Sequence, residues 1–169
     1  MTQELFYTVF HPNAGWVGLL GSTTGLLRAT LPQSSEQEAC RLLGNNLNHA
    51  VLSPHRFKDI IEHFRAYFTG HSADFPDRLD LSGATPFQRR VWQAARLIPC
   101  GETRSYAWVA GQIGKPKATR AVGQALGRNP LPIIIPCHRV LAADGGLGGF
   151  SGGIAAKKFL LSLEGAATI

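Results

Sequence analysis

Over the first thirty residues, apolar side chains come in short runs parted by turn-forming residues. Leu5-Phe6-Tyr7-Thr8-Val9-Phe10 is aromatic and β-branched. Trp16-Val17-Gly18-Leu19-Leu20 follows Asn13, and Leu26-Leu27-Arg28-Ala29-Thr30 follows Gly25. These runs predict three short strands of a small antiparallel sheet. The period then changes. Phe57, Ile60, Ile61, Phe64 and Phe68 recur at helical spacing and predict an amphipathic helix over 55–69, with the aromatic stripe as core. Gly70–Ala84 holds Pro76 and several Ser, Asp and Gly residues and reads as a linker. Residues 1–84 are therefore expected to form an α/β domain that includes a linker over about 70–84.

The second half reads mostly as helices. Thr85-Pro86-Phe87-Gln88 offers an N-cap, a proline at the first helical position and a capping-box glutamine. Val91, Trp92, Ala95 and Ile98 supply a buried stripe, and Pro99-Cys100-Gly101 stops the helix. Cys100 reads as structural. Ser105 is placed to cap a helix over Tyr106–Ile113. Gly114-Lys115-Pro116 breaks the chain before a second helix, Ala118–Gly127, and the pair makes a helix-turn-helix candidate. The second helix is nearly bare, with Ala118, Ala121, Gly123, Ala125 and Gly127. Small side chains allow close approach to another surface. Arg120 is the one long cation in its early part.

Asn129-Pro130-Leu131-Pro132 forces an extended turn, because the residue before proline avoids the helical region. Ile133-Ile134-Ile135 then reads as a buried strand leading to Cys137. A small-residue loop, Gly145–Gly153, precedes the last helix, Ile154–Glu164. Residues 85–169 are thus expected to form a mostly α domain with a helix-turn-helix, winged-helix-like in plan.

Composition changes this picture in two ways. The chain of 169 residues is 44% hydrophobic, enough for a real core. It contains no apolar run long enough to span a bilayer, and its start lacks the basic and apolar regions of a signal peptide. Three widely spaced cysteines with no CxxC pair point to a reducing intracellular compartment rather than to disulfides or zinc. Charge is uneven. Residues 1–85 carry six Lys/Arg against eight acids, whereas residues 86–169 carry eleven against three, giving the overall +6. A basic C-terminal half fits a polyanionic partner, and equally a solvated basic face.

The candidate chemistry centres on Pro136-Cys137-His138-Arg139-Val140. A thiol attacks as thiolate, and a thiolate needs nearby positive charge or a base. His138 and Arg139 bring both types of group beside the sulfur. The competing reading is an inert buried cysteine. Glu164 ends the last helix, where a carboxylate opposes the macrodipole. A partner would rationalise it there, and His138 is the candidate. The glycine loop lacks the GKS/T ending of a phosphate loop.

The segment Ile135-Pro136-Cys137-His138-Arg139-Val140-Leu141 resembles the active-site signature of the O6-alkylguanine-DNA alkyltransferases. The resemblance runs from about Thr85 to Gly165. It takes in Gly101-Glu102-Thr103-Arg104-Ser105-Tyr106, Arg120-Ala121-Val122-Gly123, Asn129-Pro130, Ser151-Gly152-Gly153 and Glu164. Residues 1–84 resemble the family only in general plan.

The resemblance implies a set of roles. Cys137 would accept the alkyl group from guanine O6 in a single, irreversible turnover. His138 would act as base through a water, oriented by Glu164. Tyr106 would donate a proton toward guanine N3. Arg120 would enter the duplex in place of the flipped base. Thr119, Ala121, Gly123 and Ser105 would meet DNA, through the minor groove. Asn129 would brace the turn behind the site. Val140, by its carbonyl, and Ser151, by its amide, would read the guanine edge, with Phe150 in the pocket wall. Family members often carry tyrosine at Phe150 and a smaller residue at Gln124, so this pocket loses a hydroxyl and its groove contact is altered.

The resemblance further implies double-stranded DNA bearing O6-alkylguanine as the partner, a monomer, no cofactor and no metal. A cytoplasmic protein is expected, nuclear if the source is eukaryotic. Two alternatives stay open: a non-catalytic damage sensor of the same fold, whose known forms replace the cysteine, and a Cys–His hydrolase.

Overall fold

Strand alternation decides the first layer. In β1 (Leu5–Phe10) every second side chain, Phe6, Thr8 and Phe10, is buried. β1 pairs antiparallel with β2 (Val17–Ser22), which pairs antiparallel with β3 (Leu26–Ala29). The computed structural model describes residues 3–71, 74–142, 145–147, 150 and 152–166. The chain forms two compact units, 1–83 and 84–169.

The first unit holds three described elements beyond the expected ones, a 3-10 turn at Asn45–His49 among them. Helix α1 (Glu36–Leu43) is capped by Ser35, whose side chain accepts from the Glu38 backbone N–H. It lies against β2 so closely that a Cβ on Gly18 would sit 3.0 Å from Leu43 Cδ1. Strand β4 (Ala50–Leu52) then pairs with β1 in parallel. The sheet order is β3-β2-β1-β4, so the sheet is mixed rather than purely antiparallel. The expected amphipathic helix forms as a 3-10 turn, Pro54–Phe57, followed by α2 (Lys58–Phe68). Its aromatic stripe is core: Phe64 is fully buried and packs on Phe10, Phe68 and Phe75 at centroid distances of 5.1–6.2 Å.

The second unit begins at the expected capping box. Thr85 accepts from the Gln88 N–H while the Gln88 side chain accepts from the Thr85 N–H, opening α3 (Pro86–Ala95). A two-residue strand β5 (Arg104–Ser105) leads into α4 (Tyr106–Gln112). Ser105 caps α4 through the Trp108 N–H at 3.0 Å. α5 (Thr119–Gly127) follows, completing the helix-turn-helix. Trp92 Nε1 donates to the Ala125 carbonyl at 2.8 Å, tying α3 to α5. A 3-10 turn, Cys137–Arg139, runs into β6 (Val140–Leu141), which pairs in parallel with β5. Helix α6 (Ile154–Leu163) closes the unit, with Leu160 and Leu161 buried. No described helix is long and apolar enough to cross a membrane.

One expectation fails here. Ile133–Ile135 is not a strand. Ile133 has φ +77°, and the Ile135 N–H returns to the Leu131 carbonyl at 2.8 Å. Prolines at 130, 132 and 136 flank the isoleucines and have no N–H with which a ladder could continue on either side. The buried isoleucines line a tight turn instead.

Candidate active site

The site grows from that turn. The Leu131 N–H donates to Asn129 Oδ1 at 2.8 Å. On the other side of the amide, Asn129 Nδ2 donates to the Ile135 carbonyl at 2.8 Å and to Cys137 Sγ at 3.1 Å. One side chain thus closes the turn and touches the sulfur. The Cys137 N–H donates to the Ile135 carbonyl, opening the 3-10 turn that carries Cys137, His138 and Arg139 in succession.

Cys137 is 6% exposed. Burial pushes its thiol up from the ordinary value, while the Asn129 hydrogen bond and the Lys157 charge pull it back in part. The resting group is therefore a thiol that needs a base, not a standing thiolate.

The candidate base is His138. Its ring is fully buried, and Nε2 lies 2.5 Å from Glu164 Oε2. Burial holds the imidazole below its ordinary pKa, against the raising effect of Glu164 and with help from Arg139 and Lys157. At neutral pH the ring is neutral. Nε2 then donates to the carboxylate and Nδ1 carries the lone pair. Nδ1 is buried and has no hydrogen-bond partner among the described residues.

Glu164 joins the ends of three segments. It caps α6, and its side chain is fully buried. Arg139 grips it from two sides, Nε to Oε1 at 2.8 Å and Nη2 to Oε2 at 3.0 Å, while Arg139 Nη1 donates to the Ile98 carbonyl at 2.8 Å. The Gly101 N–H adds a contact at 3.4 Å. Gly101 has φ +86°, which glycine adopts at no steric cost. The fixed positive charge of Arg139 compensates the buried carboxylate of Glu164.

Comparison with known proteins places this arrangement. Residues 86–166 match the family described as 6-O-methylguanine DNA methyltransferase, DNA binding domain. A methylated-DNA–protein-cysteine methyltransferase of Mycobacterium tuberculosis is 52% identical over 116 residues, 69% of this chain and 70% of the relative. One from Methanosarcina acetivorans is 38% identical over 161 residues, 95% of this chain and 99% of the relative. The crystal structure of M. tuberculosis OGT in complex with DNA superposes with a TM-score of 0.80 at 42% identity, covering 95% of this chain and 92% of that one. The chain belongs to the methylated-DNA–protein-cysteine methyltransferase family.

The positions carried over from that methyltransferase resemblance fall as follows. Tyr106 opens α4 and is half-buried, and a Cβ on Gly123 of α5 would meet its ring at 3.8 Å. That distance is ordinary van der Waals contact, so the ring of Tyr106 lies against the backbone of α5 at Gly123. Burial, then the nearby Cys137 sulfur, raises the phenol above its ordinary value, so it is a proton donor at neutral pH. Thr119, Arg120 and Ala121 are exposed in the first turn of α5. The Ser105 hydroxyl accepts from the Trp108 N–H and is already engaged in the cap. The Val140 carbonyl accepts from Lys157 Nζ at 2.8 Å, which leaves one lone pair for a further donor. Phe150 lies with its ring centroid 5.8 Å from Lys157 Nζ. Ser151 lies outside the described residues. No group of three or more His, Cys, Asp or Glu among the described residues is placed to hold a metal.

Two residues escape sequence reasoning. Arg139 looks, by adjacency, like a charge for the thiol; its guanidinium serves Glu164 instead. Lys157 has no place in the sequence reading, yet it is fully buried. Its signal is register: three and four residues before Leu160 and Leu161, it lies on the apolar stripe of α6.

Proposed function

We propose that this chain repairs DNA by direct reversal, binding a duplex that carries O6-alkylguanine and moving the alkyl group to Cys137 Sγ. The observation that carries the assignment is that one turn, 137–139, holds two bonded sets, Asn129–Cys137 and His138–Glu164–Arg139, and a buried His138 Nδ1 that has no partner among the described residues.

An alkylated base inside a duplex cannot reach a buried thiol, so it must be extruded, at a cost of a few kcal/mol. Arg120, exposed on the bare helix α5, is suited to fill the gap it leaves. The small residues Ala121 and Gly123 suit close approach along the minor groove. Phosphate contacts from the exposed basic residues of 85–169 offset the extrusion cost and make binding salt-dependent.

In the chemical step the Cys137 proton passes by way of a water to His138 Nδ1, and Sγ attacks the alkyl carbon. The S–C bond forms as the C–O6 bond breaks, and the electron pair stays with the guanine. Tyr106 gives its proton to guanine N3 as that charge develops. Solvent then reprotonates the phenolate and takes the proton from the imidazolium. Exchange with solvent then moves the base proton from N3 to N1 and restores guanine, while Cys137 becomes a thioether, which offers no leaving path, so each molecule acts once. The Val140 carbonyl and the Ser151 amide hold the guanine edge, with Phe150 as wall. We assign this chemistry and DNA binding to residues 85–169, of a protein acting as a monomer in the cytoplasm, or in the nucleus if the source is eukaryotic, without cofactor or metal.

The test is intact mass before and after exposure to duplex DNA containing O6-methylguanine. One added methyl per molecule, mapped to Cys137, is expected. Repeated turnover, or transfer that survives Cys137→Ala, overturns the proposal.

A further inference from the structure

The outer face of α5 carries a group that the proposed chemistry leaves unused. Val122, Ala125 and Leu126 turn into the core. At about 100° per residue, the direction opposite to them falls on Arg120, Gln124 and Gly127. All three are exposed. Gln124 stands one turn after Arg120, and Arg128, also exposed, caps the helix one turn later. Between the two arginines the other exposed positions are Ala121 and Gly127, with Gly123 half-exposed beside them. None of these has a side-chain donor or acceptor. Among the described residues of that face, the Gln124 amide is thus the one neutral hydrogen-bonding group between two cations.

We propose that Gln124 reads a base pair beside the lesion: its amide pairs with the minor-groove edge of a guanine within two base pairs of the O6-alkylguanine, so that DNA carrying that guanine is bound and repaired faster. The inference rests on the reading of α5 as the helix that meets the minor groove, with Arg120 in place of the extruded base.

The chemistry of the groove gives the preference its sign. An A·T pair shows the minor groove only acceptors, N3 and O2, whereas a G·C pair adds the guanine N2–H donor. A primary amide holds a donor and an acceptor side by side. Against guanine, Nε2–H donates to N3 while Oε1 accepts from N2–H, and both halves of the amide are used. Against an A·T pair the donor half is satisfied and Oε1 is left facing acceptors. Arg120 and Arg128 offer donors alone, so they add attraction to phosphate without this distinction. The spacing fits as well. One helical turn rises about 5.4 Å and one base-pair step about 3.4 Å, so a side chain one turn from Arg120 reaches a pair one or two steps from the gap.

The test is single-turnover methyl transfer from O6-methylguanine duplexes altered only at the two pairs on either side of the lesion. Inosine in place of guanine removes the 2-amino group; 2,6-diaminopurine in place of adenine adds it. Both leave the major-groove edge unchanged. Weaker neighbouring pairs ease extrusion, so pairing strength alone favours inosine over guanine and adenine over diaminopurine. We expect the reverse in wild type at one of these positions, by about 5- to 10-fold, toward the lower end of what one bidentate amide–base contact discriminates. Gln124→Ala and Gln124→Met keep a good helix former at an exposed position, and Met also keeps the length. In both, the preference for the 2-amino group should vanish. Equilibrium binding of Cys137→Ser, with and without Q124A, to the same duplexes reads the preference without transfer. Equal transfer by wild type to all the duplexes, or a preference that persists in Q124A and Q124M, overturns the inference and leaves the transferase reading standing. A wild-type protein that takes no methyl from any of them overturns the transferase reading, and the binding arm then decides whether Gln124 reads the guanine: a preference present in C137S and lost with Q124A upholds it, and equal binding overturns it.

Discussion

Each half of the molecule buries a carboxylate, and the two are held in opposite ways. Asp80, 4% exposed, accepts from Ser22 Oγ at 2.5 Å, Ser82 Oγ at 2.6 Å, Gln3 Nε2 at 3.0 Å and the Ser82 N–H at 3.1 Å. All four donors are neutral, and none changes its proton near physiological pH. Together they fasten the start of the chain and the β2 turn to the segment that leaves the first unit. Glu164 instead accepts from an arginine and an imidazole. The arginine compensates the charge; the imidazole can pass a proton through its far nitrogen. Burial and the number of hydrogen bonds do not separate a structural carboxylate from a chemical one. The capacity of the partners to change protonation does.

The sharpest way to break the comparison is at the sulfur. Cys137→Ser should abolish methyl uptake in intact-mass measurements while leaving the thermal unfolding midpoint near wild type. Tyr106→Phe should slow transfer by about 10²- to 10⁴-fold, the usual range for removing a general acid, with DNA affinity retained in a titration at fixed salt. Glu164→Ala leaves Arg139 buried without its counter-charge and His138 Nε2 without its acceptor. We expect it to cost about 3–5 kcal/mol in urea unfolding and to slow transfer as well. Asp80→Ala strands buried donors but no charge. It should cost about 1–3 kcal/mol, with the transfer rate per folded molecule unchanged; a lowered rate would show that the two carboxylates are not independent in role.

The smallest expected effect is on pH dependence. His138 is held below its ordinary value of 6.5 by burial. The unfolded chain therefore binds a proton first as pH falls, so stability should decline from about pH 6.5 downward. Asp80 answers in another window. Burial raises its carboxyl, but the hydrogen bonds from Ser22, Ser82 and Gln3 outweigh this and hold it below its ordinary 3.8. Its contribution is present above that value and is lost only as pH falls through the lowered one. Urea unfolding across pH 3–7 in wild type and in His138→Phe would separate the two windows.

Much of this was legible in the sequence where local chemistry decides structure. The Thr85 capping box, the Ser105 cap and the aromatic stripe of α2 follow from residues a few positions apart. The pairing of His138 with Glu164 was reachable because a carboxylate at a helix C-terminus calls for a partner. What escaped was decided by contacts remote in sequence. β4 is three residues long and half exposed, and exists because β1 offers it an edge. α1 buries only Ala39 and Leu43, too narrow a stripe to announce itself. Ile133–Ile135 has strand propensity, but prolines on both sides deny it a ladder. Arg139 sits next to the thiol in sequence and turns to Glu164 in space, because successive side chains of a tight turn point in different directions.

The depth of Cys137 has a further consequence, which concerns time rather than rate. On the proposed reading Cys137 is an acceptor spent by its own product, and it has to remain intact through a long wait. An open, low-pKa thiolate would be the first group in the protein to meet peroxide, disulfides or stray alkylating agents, and each such encounter would end its service without a repair. At 6% exposure, with its proton still on, the sulfur is a poor target for these reagents. The base beside it becomes useful only when a substrate fills the site. Reactivity is thus deferred to the moment of binding, and the enclosure that makes the thiol sluggish at rest also gives the molecule its shelf life.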